Sequence, residues 1–244
     1  MKDFDAASFG RFFAAAYDDH PREDTPATVD LLAGLVEPGA RVLELAVGTG
    51  RVALRLAERG FDVTGVDLSP EMLDALRARP GADAVTAVLG DLADPPVEGV
   101  FDLVFCVDNS LTNVADQDGQ VRAFVNAAAH LAPGGRFVVD GFVPAKLNRW
   151  PEDQRVAVEV VEPEYVQFEV EKHDRARQVI EKTHLVITPE GPRFGPTVHR
   201  YVWPSELDLM ARIAGLRLEH RWTDWYRRPF GPRSEDYVCV YVRD

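Results

Sequence analysis

The sequence has few of the features that mark secreted or membrane proteins. Its 244 residues include two cysteines, Cys106 and Cys239, and both lie in apolar, strand-like runs where buried free thiols are expected. No apolar run approaches the roughly 20 residues of a membrane-spanning helix, and the N-terminus shows no signal-peptide pattern. We therefore expect a cytoplasmic protein that makes no contact with membranes.

Positive charge is scarce as well. The chain has 27 Lys and Arg residues against 40 Asp and Glu residues, a formal net charge of −13. A field of that sign repels phosphate backbones, so nucleic acid is not expected as a substrate or partner. No group of cysteines and histidines has the spacing of metal ligands, and we expect no metal cofactor.

The most informative stretch is residues 41–57, RVLELAVGTGRVALRLA. Residues 42–45 form an apolar run typical of a buried parallel strand, and the residues after the glycines have helical spacing. Glycines in the turn let a ligand approach the backbone, and the helix start offers free N–H groups. Two cofactor classes fit this turn. GTGRVA matches the dinucleotide fingerprint GxGxxG/A, whereas ELAVGTG is similar to the E/DxGxGxG signature of class I S-adenosylmethionine-dependent methyltransferases.

The residues that follow predict an α/β fold. A strand at 61–67 ends in Asp67, where an acid can accept both ribose hydroxyls of an adenosine ligand. Ser69 is a good N-cap for the next helix, with Pro70 at its first position. Strands at 84–89, 101–107 and 136–140 alternate with helices, which predicts a doubly wound, mostly parallel sheet. Strands at 216–222 and 237–243 complete it, the last one antiparallel.

The later motifs separate the two cofactor classes. DLSPEML, LGDL, FDLVFCVDNSL and HLAPGGRFVVD occur between residues 67 and 140 in the order and spacing of class I methyltransferases, which the chain therefore resembles. The terminal strand pair is also a mark of that family, and no Tyr-x-x-x-Lys pair supports a dehydrogenase. Ala46 replaces the first glycine of the signature. Because alanine is only one methyl group larger, we expect a slightly displaced turn that still binds the cofactor.

The resemblance implies S-adenosylmethionine as the cofactor and S-adenosylhomocysteine as its product. Glu44 and the glycine turn then face the methionine part, Asp67 takes the ribose hydroxyls, and Asp108 lies near the methionine amine and the transferred methyl. The full cofactor-binding set that we predict is Tyr17, Glu44, Ala46, Gly48, Thr49, Gly50, Asp67, Leu68, Met72, Gly90, Asp91, Leu92, Val107 and Asp108.

Two further segments flank this cofactor domain, which we assign to residues 41–146 and 204–244. Residues 1–40 predict helices with an aromatic face, either packed on the domain or acting as a lid over the cofactor. Within residues 147–203, apolar and polar residues alternate, which predicts an antiparallel meander of about four strands. Since it leaves the sheet where ligands bind, we expect it to cap the methyl donor. The cap resembles those of sugar-amine N-methyltransferases, which implies a possible homodimer through it.

These features predict methyl transfer to a small-molecule acceptor by in-line displacement, with catalysis mainly by proximity. An amine nitrogen is favoured because no base occupies a diagnostic position. Alternatives are an O-methyltransferase that uses a His or Asp base, and a protein that binds S-adenosylmethionine without transferring methyl, such as a repurposed cyclase or a regulatory module. The catalytic candidates are Asp108, His20 and His199. The acceptor-binding candidates are Tyr17, Asn109, Ser110, Tyr201, Trp203 and Trp225, for which packing or capping is the alternative role.

Overall fold

The computed structural model describes residues 7–18, 22–149 and 152–244, which form two β-sheets and six α-helices. The strands are β1 Arg41–Leu45, β2 Asp62–Asp67, β3 Val85–Leu89, β4 Phe101–Cys106, β5 Leu131–Phe142, β6 Gln154–Glu162, β7 Tyr165–Asp174, β8 Val179–Thr188, β9 Gly191–Arg200, β10 Leu216–Trp222 and β11 Asp236–Arg243. The helices are α1 Ser8–Phe13, α2 Thr25–Ala33, α3 Ala53–Glu58, α4 Pro70–Arg77, α5 Gln117–Ala129 and α6 Pro204–Ile213.

The larger sheet has seven strands in the order β10-β11-β5-β4-β1-β2-β3. The five strands β5, β4, β1, β2 and β3 pair with one another in parallel. Strand β11 lies between β5 and β10 and is antiparallel to both. This arrangement confirms the predicted doubly wound fold and its antiparallel last strand.

Helices cover both faces of this sheet. On one face, α5 and α6 contribute Phe124, Leu207 and Met210 to the core. On the other, α2, α3 and α4 contribute residues such as Leu32 and Leu76. Strand β1, which lies inside the sheet, is consequently buried from residue 42 to residue 45, and all of these residues except Glu44 are apolar.

Two local predictions need correction. The fifth strand begins at Leu131 instead of Arg136, because Leu131 already pairs with Phe101 of β4. Gly134 takes a positive φ of 76°, and the chain bulges there before Arg136 pairs with Leu103. The sequence also predicts a helix over residues 205–214 with Ser205 as its N-cap; helix α6 instead begins at Pro204, and Trp203 holds the N-cap position. Proline suits the first helical turn because its missing N–H would have no partner there.

The second sheet is the four-stranded antiparallel meander β6-β7-β8-β9, within the range predicted for the insertion. Helix α1 packs against β9, as does the 3₁₀ turn Ser110–Asn113. The face that carries Glu169 and Lys182 is polar, and these two side chains pair at 2.8 Å. The opposite face carries exposed apolar side chains, so the two faces differ in the way that the alternating sequence indicates.

Among the described residues, no helix has both the length and the apolar character needed to cross a membrane.

Candidate active site

A cavity of about 270 Å³ opens at the carboxyl ends of β1, β2 and β3, where α1, α4 and the turn after β4 enclose it. Many residues of the predicted cofactor set line it: Tyr17, Ala46, Gly48, Asp67, Leu68, Met72, Asp91 and Leu92, together with Ser110. Thr49 is a buried residue of the turn itself, and its hydroxyl donates to Asp18 Oδ1 at 2.9 Å. Gly90 is a packing glycine, because a Cβ there would lie 2.2 Å from a Pro96 side-chain carbon.

Asp67 ties two elements of this cavity together. Its Oδ2 accepts the Gly48 N–H at 2.8 Å, and its Oδ1 accepts the Ser69 N–H at 2.9 Å. Burial raises the pKa of Asp67, although these backbone N–H groups oppose the shift. A carboxylate has about four acceptor positions, so two remain for hydroxyl donors in the cavity.

The turn that follows β1 has three residues with positive φ. Gly48 and Gly50 have φ values of 54° and 80°, and Ala46 has 63°. Ala46 therefore keeps the left-handed backbone of the glycine that it replaces in the signature, where a non-glycine residue is strained by about 1 kcal/mol or more. The substitution leaves the turn in place and adds strain beside the cavity.

Replacing Ala46 by glycine is expected to raise the free energy of unfolding by about 1 kcal/mol, since glycine adopts this backbone without the Cβ clash. Urea denaturation measures the change. Ala57→Gly in α3 is the matched control and is expected to lower stability by about 0.5–1 kcal/mol, because glycine is unfavourable in a helix. A loss of stability in both variants would show that Ala46 is not strained.

Glu44 lies beneath the turn. Its side chain is almost wholly buried, and its Oε2 has no hydrogen-bond partner. Burial raises the pKa of Glu44 to about 8, while the Arg51 guanidinium and the Ala53 N–H lower it. An unpaired buried acceptor at this position fits a positively charged donor such as the methionine ammonium of S-adenosylmethionine.

Asp108 follows β4 and collects donors from distant parts of the chain. Tyr17 Oη donates to its Oδ2 at 3.0 Å, the Arg22 guanidinium forms an ion pair with it, and Arg51 Nη2 lies 3.7 Å away. Burial and the neighbouring Asp108 raise the pKa of Tyr17 well above its usual value. Tyr17 belongs to the segment predicted as a lid, and this contact brings that segment to the edge of the cavity.

A second cavity of about 240 Å³ is lined by Asp108, whose carboxylate accepts the hydroxyl of Tyr17 from the lining of the first. Its lining includes Val107, Asn109 and Trp225 from the predicted sets. Its lining has five carboxylates and two guanidinium groups: Asp24, Asp108, Asp140, Asp224 and Asp236 with Arg22 and Arg51. Outside the lining, Arg228 pairs with Asp224, and Lys146 pairs with Asp236 at 3.2 Å.

Sequence reasoning did not identify Arg22, Arg51 or Asp140. A signal existed for two of them. Arg51 directly follows the last glycine of the turn, and Asp140 ends the fifth strand much as Asp108 follows the fourth.

Other predicted residues lie elsewhere. The Tyr201 hydroxyl is 2.9 Å from His173 Nε2, and Trp203 is exposed at the start of α6, so neither lines these two cavities. His199 contacts the Thr197 hydroxyl at 3.0 Å, and burial lowers the pKa of its imidazole to about 3, which makes it a weak base. His20 lies outside the described residues.

Within the described part of the chain, no three His, Cys, Asp or Glu side chains are placed to hold a metal ion.

Comparison with known proteins identifies the family. A methyltransferase-domain family model matches residues 42–135. The cypemycin N-terminal methyltransferase of Streptomyces sp is 30% identical over 232 residues, which cover 88% of this chain and 94% of that protein. The chain belongs to the S-adenosylmethionine-dependent methyltransferases.

Solved structures extend this methyltransferase match to almost the whole chain. The CcbJ methyltransferase from Streptomyces caelestis superposes with a TM-score of 0.91 at 36% identity, over 99% of this chain and 100% of that one. The sugar N-methyltransferase KedS8 from Streptoalloteichus sp ATCC 53650 gives a TM-score of 0.62 at 25% identity, over 99% and 89% of the two chains. The resemblance read from the motifs is thereby confirmed, as is the fold class with its antiparallel sheet.

Proposed function

We propose that this methyltransferase methylates an amine nitrogen of a small molecule. The observation that carries the proposal is the carboxylate-rich second cavity, which is linked to the first by the Tyr17–Asp108 hydrogen bond. Carboxylates in a partly dry cavity favour a cationic group over a neutral or anionic one. One of the similar proteins is named a sugar N-methyltransferase, and another is named the cypemycin N-terminal methyltransferase.

In this proposal the first cavity holds the adenosine part of the cofactor, and the methionine end reaches the Asp108 side of the second cavity. Leu68, Met72 and Leu92 flank the adenine, and Asp67 accepts the ribose hydroxyls. Glu44 and Asp108 accept the methionine ammonium, whereas Arg22 and Arg51 are placed to meet the methionine carboxylate. The unpaired oxygen of Glu44 and the donors gathered at Asp108 support these assignments.

When bound, S-adenosylmethionine supplies a methyl group that is already electrophilic, so the protein must mainly orient the acceptor and exclude water. The second cavity would hold the acceptor amine beside Asp108, and its carboxylates would attract the protonated form. Tyr17 and α1 would close the site from the N-terminal side. The antiparallel sheet would cover α1 in turn, since α1 packs against β9.

A matched pair of acceptor panels tests the proposal. Purified enzyme is incubated with S-adenosylmethionine and either primary amines or the corresponding alcohols, and S-adenosylhomocysteine formation is measured. We expect turnover with amines, at a rate that follows the acceptor's own pKa. Turnover with alcohols alone would support O-methylation instead. Cofactor binding without S-adenosylhomocysteine from any acceptor would support a protein that binds the cofactor without transferring methyl.

We also propose a homodimer through the outer face of the antiparallel sheet. Strand register puts Val156 opposite Val170, and Leu185 opposite Phe194, on one face. Several apolar side chains there are exposed by 40% or more: Val156, Val158, Val161, Val170, Ile187 and Phe194. Exposed apolar patches of this kind mark interaction surfaces, and self-association would cover them.

Phe194→Glu is expected to convert the dimer to a monomer, because a charge would then face the apolar surface of the partner copy. Sedimentation velocity measures the change. Leu209→Glu on α6 is the matched control, since Leu209 is exposed by 57% against 64% for Phe194 but lies outside the sheet. A wild-type protein that sediments as a monomer at all concentrations would contradict the proposed interface.

A further inference from the structure

Asp140 contacts the turn that carries Asp108, and this contact has no role in the proposed site. It lies near the end of β5, one residue past the Cys106–Val139 pairing of β4 with β5. There its Oδ1 accepts the backbone N–H of Asn109 at 3.0 Å. Asp140 also lines the second cavity.

The turn that donates this hydrogen bond is strained. Asp108 and Asn109 have φ values of 68° and 59°, two consecutive non-glycine residues in the left-handed region. Such a backbone persists when its surroundings hold it in place. The Asn109 carbonyl accepts the Thr112 hydroxyl at 2.7 Å and the Thr112 N–H at 2.9 Å, so Asp140 fixes the opposite side of the same residue.

The Asn109 side chain does not hold this turn, since its Oδ1 is buried without a hydrogen-bond partner. The turn directs the Asp108 carboxylate toward Tyr17, which lines the first cavity, and toward Arg22, which lines the second. We infer that Asp140 is a positioning residue, which holds the left-handed turn through the Asn109 N–H and thereby aims Asp108 at the methionine end of the cofactor cavity. The inference rests on the proposed role of Asp108.

The chemistry around Asp140 shows which variants separate positioning from proton transfer. Burial raises the pKa of Asp140 to about 7; among the groups that face it, Asp108 and Asp24 also raise it, and Arg22 lowers it. The Tyr237 phenol faces it from β11, and burial raises the pKa of that phenol as well. A positioning group needs only an oxygen acceptor, so an amide can replace it. A proton acceptor needs the carboxylate itself.

The test compares D140A with D140N by calorimetric titration with S-adenosylhomocysteine. We expect D140A to raise the dissociation constant about tenfold, because the Asn109 N–H loses its acceptor and the turn relaxes. D140N keeps an oxygen acceptor and is expected to bind S-adenosylhomocysteine within about threefold of wild type.

Wild-type affinity in D140A would overturn the inference, as would a loss in D140N as large as in D140A. If D140A does not purify as folded protein, the double variant N109G/D140A carries the test. Glycine adopts the left-handed backbone without support, so we expect this variant to bind within about threefold of wild type. A tenfold loss there would contradict a role through the turn. Cofactor affinity is measured without any acceptor, so a failed amine proposal does not affect this result.

Discussion

Asp67→Ala is expected to weaken S-adenosylmethionine binding by about 10- to 150-fold, the largest effect of a single side chain that we predict. Hydrogen bonds to a charged group contribute roughly 1.5–3 kcal/mol, and the ribose hydroxyls would lose that acceptor. The same substitution removes the acceptor of the Gly48 and Ser69 N–H groups, which hold the glycine turn against the start of α4. Calorimetric titration with S-adenosylhomocysteine measures the loss.

Asp62→Ala is the matched control for this prediction. Asp62 begins the same strand that Asp67 ends, and its carboxylate is exposed beside Arg41 at 3.5 Å. Exposed ion pairs contribute little, so the control is expected to bind the cofactor as wild type does. Unchanged affinity in Asp67→Ala would mean that the cofactor does not occupy this cavity as proposed.

Gly10→Val is expected to lower cofactor affinity by about tenfold, through displacement of α1. A Cβ at Gly10 would lie 2.2 Å from Ser69 Oγ, a distance that real Cβ atoms do not tolerate. Ser69 cannot easily move away, because its hydroxyl accepts the Met72 N–H at the start of α4. On the other side of α1, a Cβ at Gly195 would lie 2.3 Å from the Phe12 ring. Two glycines thus let α1 fit between α4 and the antiparallel sheet.

The prediction is measured by cofactor titration together with limited proteolysis of residues 7–18. We expect the valine variant to be cleaved faster in that segment, because a displaced α1 exposes its backbone. Ala15→Val adds a branched side chain to the same segment at an exposed position and serves as the control. If Gly10→Val bound the cofactor as tightly as the control, α1 would not be part of the closed site.

The parallel core could be predicted from sequence because its signals are local. The apolar run of β1, the glycine turn and the Ser69 cap each depend on neighbours in the chain, and Ser69 Oγ accepts the Met72 N–H as expected. The alternating residues of β7 likewise predicted a strand with two different faces. Local patterns of this kind set the elements and their order.

The residues that meet at Asp108 could not be predicted in the same way. Tyr17 and Asp108 are 91 positions apart, and their contact depends on how the N-terminal segment folds back over the sheet. Arg22 joins the same carboxylate from that segment. Tyr201 and Trp203, which were predicted from their aromatic character, lie where the chain leaves β9 for α6 and line neither cavity.

The central claim is methyl transfer to a small-molecule amine, and one labelling experiment tests it most directly. Enzyme and methyl-labelled S-adenosylmethionine are added to a cell extract, which is then separated into metabolite, protein and nucleic-acid fractions, with Asp67→Ala enzyme as the background control. We predict label in the metabolite fraction, on a product whose methyl group is released neither by base hydrolysis, which cleaves methyl esters, nor by hydriodic acid under conditions that cleave methyl ethers. Label found in protein or nucleic acid and missing from the metabolite fraction would contradict the account.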